Sequence, residues 1–135
     1  MTVSHQFLNP EGLARPVGFS HVALASPGRL VFLAGQTAEQ PDGTISGKTI
    51  EEQFAVAALG LATALAAAGA GAHHLVWLQI FTTNLDGYRG ALRPIGEGWK
   101  RAFGSHYPPT ALFGISRLFH PEAEVELMGI AVVPD

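Results

Sequence analysis

The chain has 135 residues, of which 47% are hydrophobic and 14% charged, and its formal net charge is −3. This length predicts one domain over residues 1–135, and the low charged fraction favours burial of apolar surface against other subunits. The two lysines and six scattered arginines offer no basic patch for nucleic acid, and the lack of cysteine excludes disulfides and thiol chemistry.

Two short runs of β-favouring residues come first, SHVALA at 20–25 and RLVFLA at 29–34. Pro27 and Gly28 between them suit a tight turn, so the pattern predicts a hairpin. Gly35 and Gln36 then stand at the end of the second strand. A glycine at that place lets a ligand approach the backbone, although a bulge or bend explains it equally well.

The first helix is marked at both ends. Thr49 and Glu52 have the spacing of a capping box, apolar residues follow at intervals of three and four, and Gly69 is a plausible stop. The apolar run around 54–70 is rich in alanine and capped like a globular helix, so no membrane span is expected. No signal-peptide pattern is visible either, and we expect a cytoplasmic protein.

The second half alternates strand and helix. LVWLQIFTT at 75–83 is the strongest strand signal, and a weaker helix runs from Asp86 to near Phe103. Two further strands are predicted at 110–116 and 123–133. The order ββ-α-β-α-ββ predicts an α+β two-layer sandwich, with both helices on one face of a mixed sheet.

Few residues indicate chemistry on local grounds. His73 and His74 are adjacent, and adjacent side chains of an extended segment point to opposite faces, so we interpret them as an exposed pair and predict no metal site. Glu126 lies in the otherwise apolar VELMGIAVV. Strand alternation favours a solvent-facing carboxylate there, and a pocket is the alternative.

Taken in order, several stretches of the chain resemble the Rid family, which is YjgF-like and is also labelled L-PSP endoribonuclease. They are FSHVALASPGRLVFLAGQTAEQPDG, TIEEQ, AAAGAGAHHLV, YPPT and VELMGIAVV. The resemblance runs from about Pro16 to Val133. It implies a chorismate-mutase-like fold and a homotrimer with three clefts between subunits. It also implies hydrolysis of reactive enamines and imines without a cofactor.

The resemblance also indicates which residues form the site. Gly35 and Gln36 match the family's GQ after the second strand and are expected to bind substrate. Glu126 matches the glutamate that holds the attacking water, so the resemblance implies that it is catalytic.

Four positions depart from the deaminases of the family. Phe19 stands where they carry tyrosine, Gly96 where they often carry asparagine, and Leu112 where the residue is often small or a cysteine. Thr110 stands where an arginine grips the substrate carboxylate. A guanidinium binds a carboxylate through two hydrogen bonds, whereas threonine offers one donor and no charge. The chain therefore resembles an arginine-lacking branch, with Phe19, Thr110 and Leu112 expected to line the substrate cleft.

The leading hypothesis is a homotrimeric hydrolase, a deaminase of a small imine or enamine without the usual carboxylate anchor. A trimeric small-molecule-binding protein without turnover is one alternative, and a pathway enzyme that catalyses cyclisation or tautomerisation in the same cleft is another. Ribonuclease activity is disfavoured because the few basic residues offer phosphates little. The expected partners are a small-molecule ligand and further copies of the chain, with neither nucleic acid nor membrane.

Overall fold

The computed structural model describes residues 4–135, which form six strands and three α-helices. In chain order these are β1 Gln6–Leu8, β2 Val22–Leu24, β3 Gly28–Gln36, α1 Ile50–Ala67, β4 Leu75–Thr82, α2 Leu85–Gly90, α3 Leu92–Phe103, β5 Thr110–Gly114 and β6 Val125–Pro134. A single 3-10 turn, Ala72–His74, precedes β4.

The main sheet has four strands in the order β3-β6-β4-β5. β6 is antiparallel to both of its neighbours, and β4 and β5 are parallel, so the sheet is mixed. The helices α1 and α3 pack against each other, and α1 packs on β3 and β6, which places the core between one helical layer and one face of the sheet. The predicted α+β sandwich is thereby confirmed.

The predicted hairpin between 20–25 and 29–34 is wrong. β2 pairs with β1 in a separate two-stranded ribbon, whereas β3 pairs with β6. The turn is held by the N-terminal segment, because Ser26 donates its backbone N–H to His5 Nδ1 at 2.9 Å and its hydroxyl to the Ser4 carbonyl at 2.9 Å. The pairing of β3 with β6, which extends from Gly28 to Gln36, therefore prevails over the hairpin that the local turn residues predict.

Helix α1 forms as its caps predict. The Thr49 side chain accepts from the Glu52 N–H, the Glu52 carboxylate accepts from the Thr49 N–H, and Gly69 after the helix has φ +72°. The helix is long and apolar enough to cross a membrane by composition, but its apolar stripe packs in the core of this domain. The fully buried members of the stripe are Phe54, Ala57, Ala58, Leu61 and Leu65.

The predicted helix from Asp86 to Phe103 is two helices. Asn84 and not Asp86 caps α2, since its side chain accepts from the Gly87 N–H at 2.9 Å. The helical conformation is interrupted at Ala91, whose φ of −120° and ψ of 23° are not helical. Pro94 is the third residue of α3, where its missing N–H removes no helical hydrogen bond.

The face of the sheet that carries no helix, here called the open sheet face, is strongly apolar. Phe32 and Trp77 lie opposite Ile130 from the two sides, and Phe113 stacks on Phe81 with ring centroids 5.6 Å apart. Its exposed large side chains are Leu30, Phe32, Trp77, Phe113 and Met128. A single chain leaves this side of the sheet uncovered. Apolar patches of this kind commonly mark association surfaces.

Candidate functional site

The predicted site residues fall into two separate clefts of the chain. The Glu126 cleft has a volume of 390 Å³ and is lined by Gly35, Gln36, Thr37, Glu39, Gln40, Pro41, Phe119, His120 and Glu126. The Thr110 cleft has a volume of 710 Å³ and is lined by Val17, Gly18, Phe19, Ile80, Tyr88, Leu92, Ile95, Gly96, Trp99, Lys100, Tyr107, Thr110 and Leu112.

A bulge in β3 brings Gly35 against Glu126. Leu33 pairs with Gly129 and Gln36 with Leu127, so β3 holds one residue more than β6 over this interval. A Cβ at Gly35 would lie 2.7 Å from Glu126 Cδ and 2.9 Å from Oε1. Only glycine leaves room for the carboxylate. Gly35 therefore lies in a bulge and also permits a close approach to its backbone, the two interpretations that its position in the sequence suggested.

The Gln36 side chain reaches from the Glu126 cleft towards α1. A Cβ at Gly60 would lie 3.4 Å from Gln36 Oε1, an ordinary van der Waals distance, so the Gln36 amide lies close to the middle of α1. Gln36 thus lies between α1 and the bulge beside Glu126.

Six residues that line the Glu126 cleft were not predicted as site residues: Thr37, Glu39, Gln40, Pro41, Phe119 and His120. Phe119 and His120 lie in the loop between β5 and β6, and Phe119 is fully exposed. His120 Nδ1 accepts from the Glu122 N–H at 3.2 Å, so the neutral ring carries its proton on Nε2. The sequence does contain a signal for Phe119 and His120. The run RLFHPE lies between two predicted strands, so an aromatic ring and an imidazole are expected in a polar loop.

In the Thr110 cleft the hydroxyl of Thr110 has a local partner. It donates to the Pro108 carbonyl at 2.8 Å, which leaves only its lone pairs for a ligand. The remaining predicted residues here, Phe19 and Leu112, contribute apolar surface. Trp99, which was not predicted as a site residue, donates its indole N–H to the His106 carbonyl at 3.0 Å, so its one donor is also taken.

The two clefts lie on different sides of the sheet. Thr110 and Leu112 pair with Leu78 and Ile80 of the core and so face the helices, whereas Glu126 pairs with Phe81 on the open sheet face. The strands β3 and β5, which carry Gly35 and Thr110, are opposite edges of the sheet. One chain therefore does not bring Glu126 and Thr110 together.

His73 and His74 differ from the expected pair with opposed side chains. They lie in the 3-10 turn, where their ring centroids are 3.9 Å apart, and they line a small cavity with His5 and His106. Burial lowers the pKa of both His74 and His106, and the neighbouring imidazoles lower it further. The Leu75 carbonyl, which accepts from His106, opposes the shift only in part.

The lowered pKa values of His74 and His106 predict a fold that is less stable in acid. Because the folded pKa values lie below the unfolded value of about 6.5, stability is fully present above that pH and is lost as pH falls through it. We expect a lower melting temperature at pH 5.5 than at pH 7.5, and a smaller difference in His106→Gln, which keeps a donor for Leu75. His21→Gln, outside the cluster, is the control in differential scanning fluorimetry. An equal difference in both variants would contradict this assignment.

The sequence and the fold are both similar to those of known proteins. The family model described as endoribonuclease L-PSP matches residues 12–133. A Rid-family protein of unknown function from Yersinia pestis is 25% identical with a TM-score of 0.86, and the match covers 97% of this chain and 100% of that one. A member of the YjgF/YER057c/UK114 family from Mycobacterium tuberculosis is 28% identical with a TM-score of 0.62, covering 96% and 100%.

A third structure, TdcF from E. coli with bound serine, shares the fold at 23% identity and a TM-score of 0.64, with 93% of each chain covered. No curated protein matches the chain significantly. The family model covers all the candidate site residues and most of the chain. The resemblance seen in the sequence is confirmed: the chain belongs to the endoribonuclease L-PSP family, the Rid or YjgF family of its structural neighbours.

Proposed function

We propose that the protein is a trimeric hydrolase of a small imine or enamine, and that each active site combines the Glu126 cleft of one subunit with the Thr110 cleft of the next. The close approach of Gly35 to Glu126 carries this proposal, since it holds a carboxylate in an open cleft. The separation of the two clefts within one chain supports an intersubunit site.

Glu126 acts as the general base. It takes a proton from water while the oxygen forms a bond to the imine carbon, and the C=N electron pair moves to nitrogen, which takes a proton from solvent. Glu126 then returns its proton to the nitrogen of the carbinolamine as the C–N bond breaks and ammonia leaves, and the hydroxyl gives its proton to solvent as the C=O bond forms. The reaction consumes one water per imine and needs neither oxidant nor cofactor. Backbone beside Gly35 and the lone pairs of Thr110 hold the polar atoms of the substrate.

The proposed substrate carries no carboxylate at the position that Thr110 faces. Threonine cannot replace a guanidinium for this purpose, because its hydroxyl already donates to Pro108 and it has no charge. A monoamine oxidase that generates imines from simple primary amines supplies a suitable assay. Faster ammonia release in the presence of the protein supports hydrolysis, and an unchanged rate across aryl and alkyl amines contradicts it.

The open sheet face provides the surface for trimer formation. Phe32 is 72% exposed in the single chain, which is unfavourable unless another subunit covers it. We expect the wild type to sediment as a trimer and Phe32→Glu to sediment as a monomer with an unchanged circular dichroism spectrum. Leu59→Glu changes an exposed leucine on α1 instead and is expected to remain trimeric. A monomeric wild type at micromolar concentration would remove the basis for a shared cleft.

A further inference from the structure

The Thr110 cleft has the dimensions and lining of a pocket for an apolar molecule. Its volume of 710 Å³ lies within the range of about 300–1,000 Å³ that is usual for small-molecule sites. Aromatic and branched side chains from the loop before β2, from β4, from α3, from the segment before β5 and from β5 form most of its wall. They are Val17, Phe19, Ile80, Leu92, Ile95, Trp99, Tyr107 and Leu112.

Gly96 enlarges this cleft. It lies in the middle of α3, where glycine weakens the helix by about 1 kcal/mol relative to alanine. A Cβ at this position would meet no atom within 4 Å, so the packing of the protein does not require glycine there. The missing side chain instead leaves space in the cleft.

The cleft offers little to an anion. Lys100 is the only charged residue in the described lining, and it is exposed at the end of α3. An exposed ammonium is strongly hydrated and lacks the fork that a carboxylate needs. A carboxylate in the cleft would lose water without gaining an equivalent partner, so a neutral ligand fits better.

Tyr88 supplies a polar group of the kind that orients a neutral ligand. Its side chain is 7% exposed, and its ring packs edge-on to Phe54 with centroids 6.1 Å apart. Tyr88 lines the cleft, and within residues 4–135 its hydroxyl makes no hydrogen bond and is not a fully buried unpaired group, which leaves it free to donate to a ligand. Burial raises the pKa of Tyr88 to about 12, which keeps the phenol a neutral donor.

We propose that the Thr110 cleft binds neutral molecules with an apolar body of about the size of a phenyl ring, and that Tyr88 donates a hydrogen bond to an oxygen or nitrogen of the bound molecule. This inference rests on the proposed function and names its substrate class: neutral aryl or branched-alkyl imines and enamines. The corresponding carbonyl products bind in the same cleft.

Binding of acetophenone tests the polar contact without any turnover. Acetophenone has a phenyl body and one carbonyl acceptor, and benzoate replaces the methyl ketone with a carboxylate. We expect the wild type to bind acetophenone at least tenfold more tightly than benzoate in NMR titrations. Tyr88→Phe is expected to weaken acetophenone about three- to tenfold, the usual worth of a neutral hydrogen bond. Ethylbenzene, which has no acceptor, is expected to bind both proteins equally.

A second variant tests the location of the ligand. Gly96→Leu fills the cleft while improving the helix, so we expect binding of acetophenone to be lost and the melting temperature to be unchanged or higher. Gly90→Leu is the matched control, because a Cβ there also meets no atom within 4 Å and Gly90 does not line the cleft. It is expected to bind acetophenone normally.

Three results would overturn the proposal. Benzoate binding as tightly as acetophenone would identify an anion site, with Lys100 as its anchor. Equal acetophenone affinity in Tyr88→Phe would remove the hydrogen bond from the account. No binding to the wild-type trimer would show that a neighbouring subunit fills the cleft. Because these measurements need no catalysis, a protein that binds acetophenone but hydrolyses no imine would contradict the proposed function alone.

Discussion

Replacing Glu126 with glutamine is expected to lower the turnover of a neutral imine by roughly a hundredfold to ten-thousandfold, the usual range for loss of a general acid or base. Glutamine keeps the shape of the side chain that fits against Gly35, but it cannot take a proton from water. The fold and the trimer should therefore be unchanged. Ammonia release in the oxidase-coupled assay measures the rate, with circular dichroism and sedimentation as checks.

Two further variants separate the base from its surroundings. Glu39→Gln removes the other carboxylate that lines the same cleft and is expected to change turnover less than threefold. Gly35→Ala places a methyl group where Glu126 Cδ would be 2.7 Å away, so the carboxylate must move and turnover should fall at least tenfold. Unchanged turnover in Glu126→Gln would demote this residue and favour the alternative of a binding protein.

Local signals predicted the elements that local interactions stabilise. Helix α1 begins after Thr49 because its capping box is complete within four residues, and Gly69 follows its end in a left-handed conformation. The turn at Pro27 and Gly28 also had a strong local signal, but the strands beside it pair with β6 and β1. Strand pairing depends on distant partners, and nothing in the turn itself encodes them.

The candidate site was likewise predicted only in part. The resemblance indicated Glu126 and Gly35, and the structure shows why they lie together: the bulge in β3 brings Gly35 against the Glu126 carboxylate. Tyr88 was missed because a tyrosine in a short helix is most often core. Its role depends on the space that Gly96 leaves one helix away, which the sequence alone does not show.

The Thr110→Arg variant is expected to gain activity towards carboxylate-bearing imines. The wild type should hydrolyse 2-iminopropionate and 2-iminobutyrate feebly, since Thr110 donates to Pro108 and offers no charge. A hydrogen bond to a charged group contributes about 1.5–3 kcal/mol, which corresponds to about ten- to a hundredfold in kcat/KM if the transition state realises it fully. We expect about tenfold, because Phe19 supplies no hydroxyl and Leu112 crowds the longer side chain.

The new guanidinium should also change stability. It would lie in an apolar cleft whose lining within the chain holds no acidic residue, so the variant should melt at a lower temperature than the wild type. Pyruvate, the product of 2-iminopropionate, should raise the melting temperature of Thr110→Arg and leave that of the wild type unchanged. Thr110→Met adds a long side chain without charge and is the control for bulk, with neither the gain in activity nor the response to pyruvate.

Two outcomes would contradict this account of Thr110. An amino-acid oxidase generates the imines, and their decay is followed with each variant. Rapid decay with the wild type would show that another arginine grips the carboxylate, and Arg93 and Arg117, both exposed, are the ones to replace next. A folded trimeric Thr110→Arg protein that gains no activity and binds no pyruvate would show that position 110 alone does not determine the choice between charged and neutral imines. The apolar wall of the Thr110 cleft would then determine that choice.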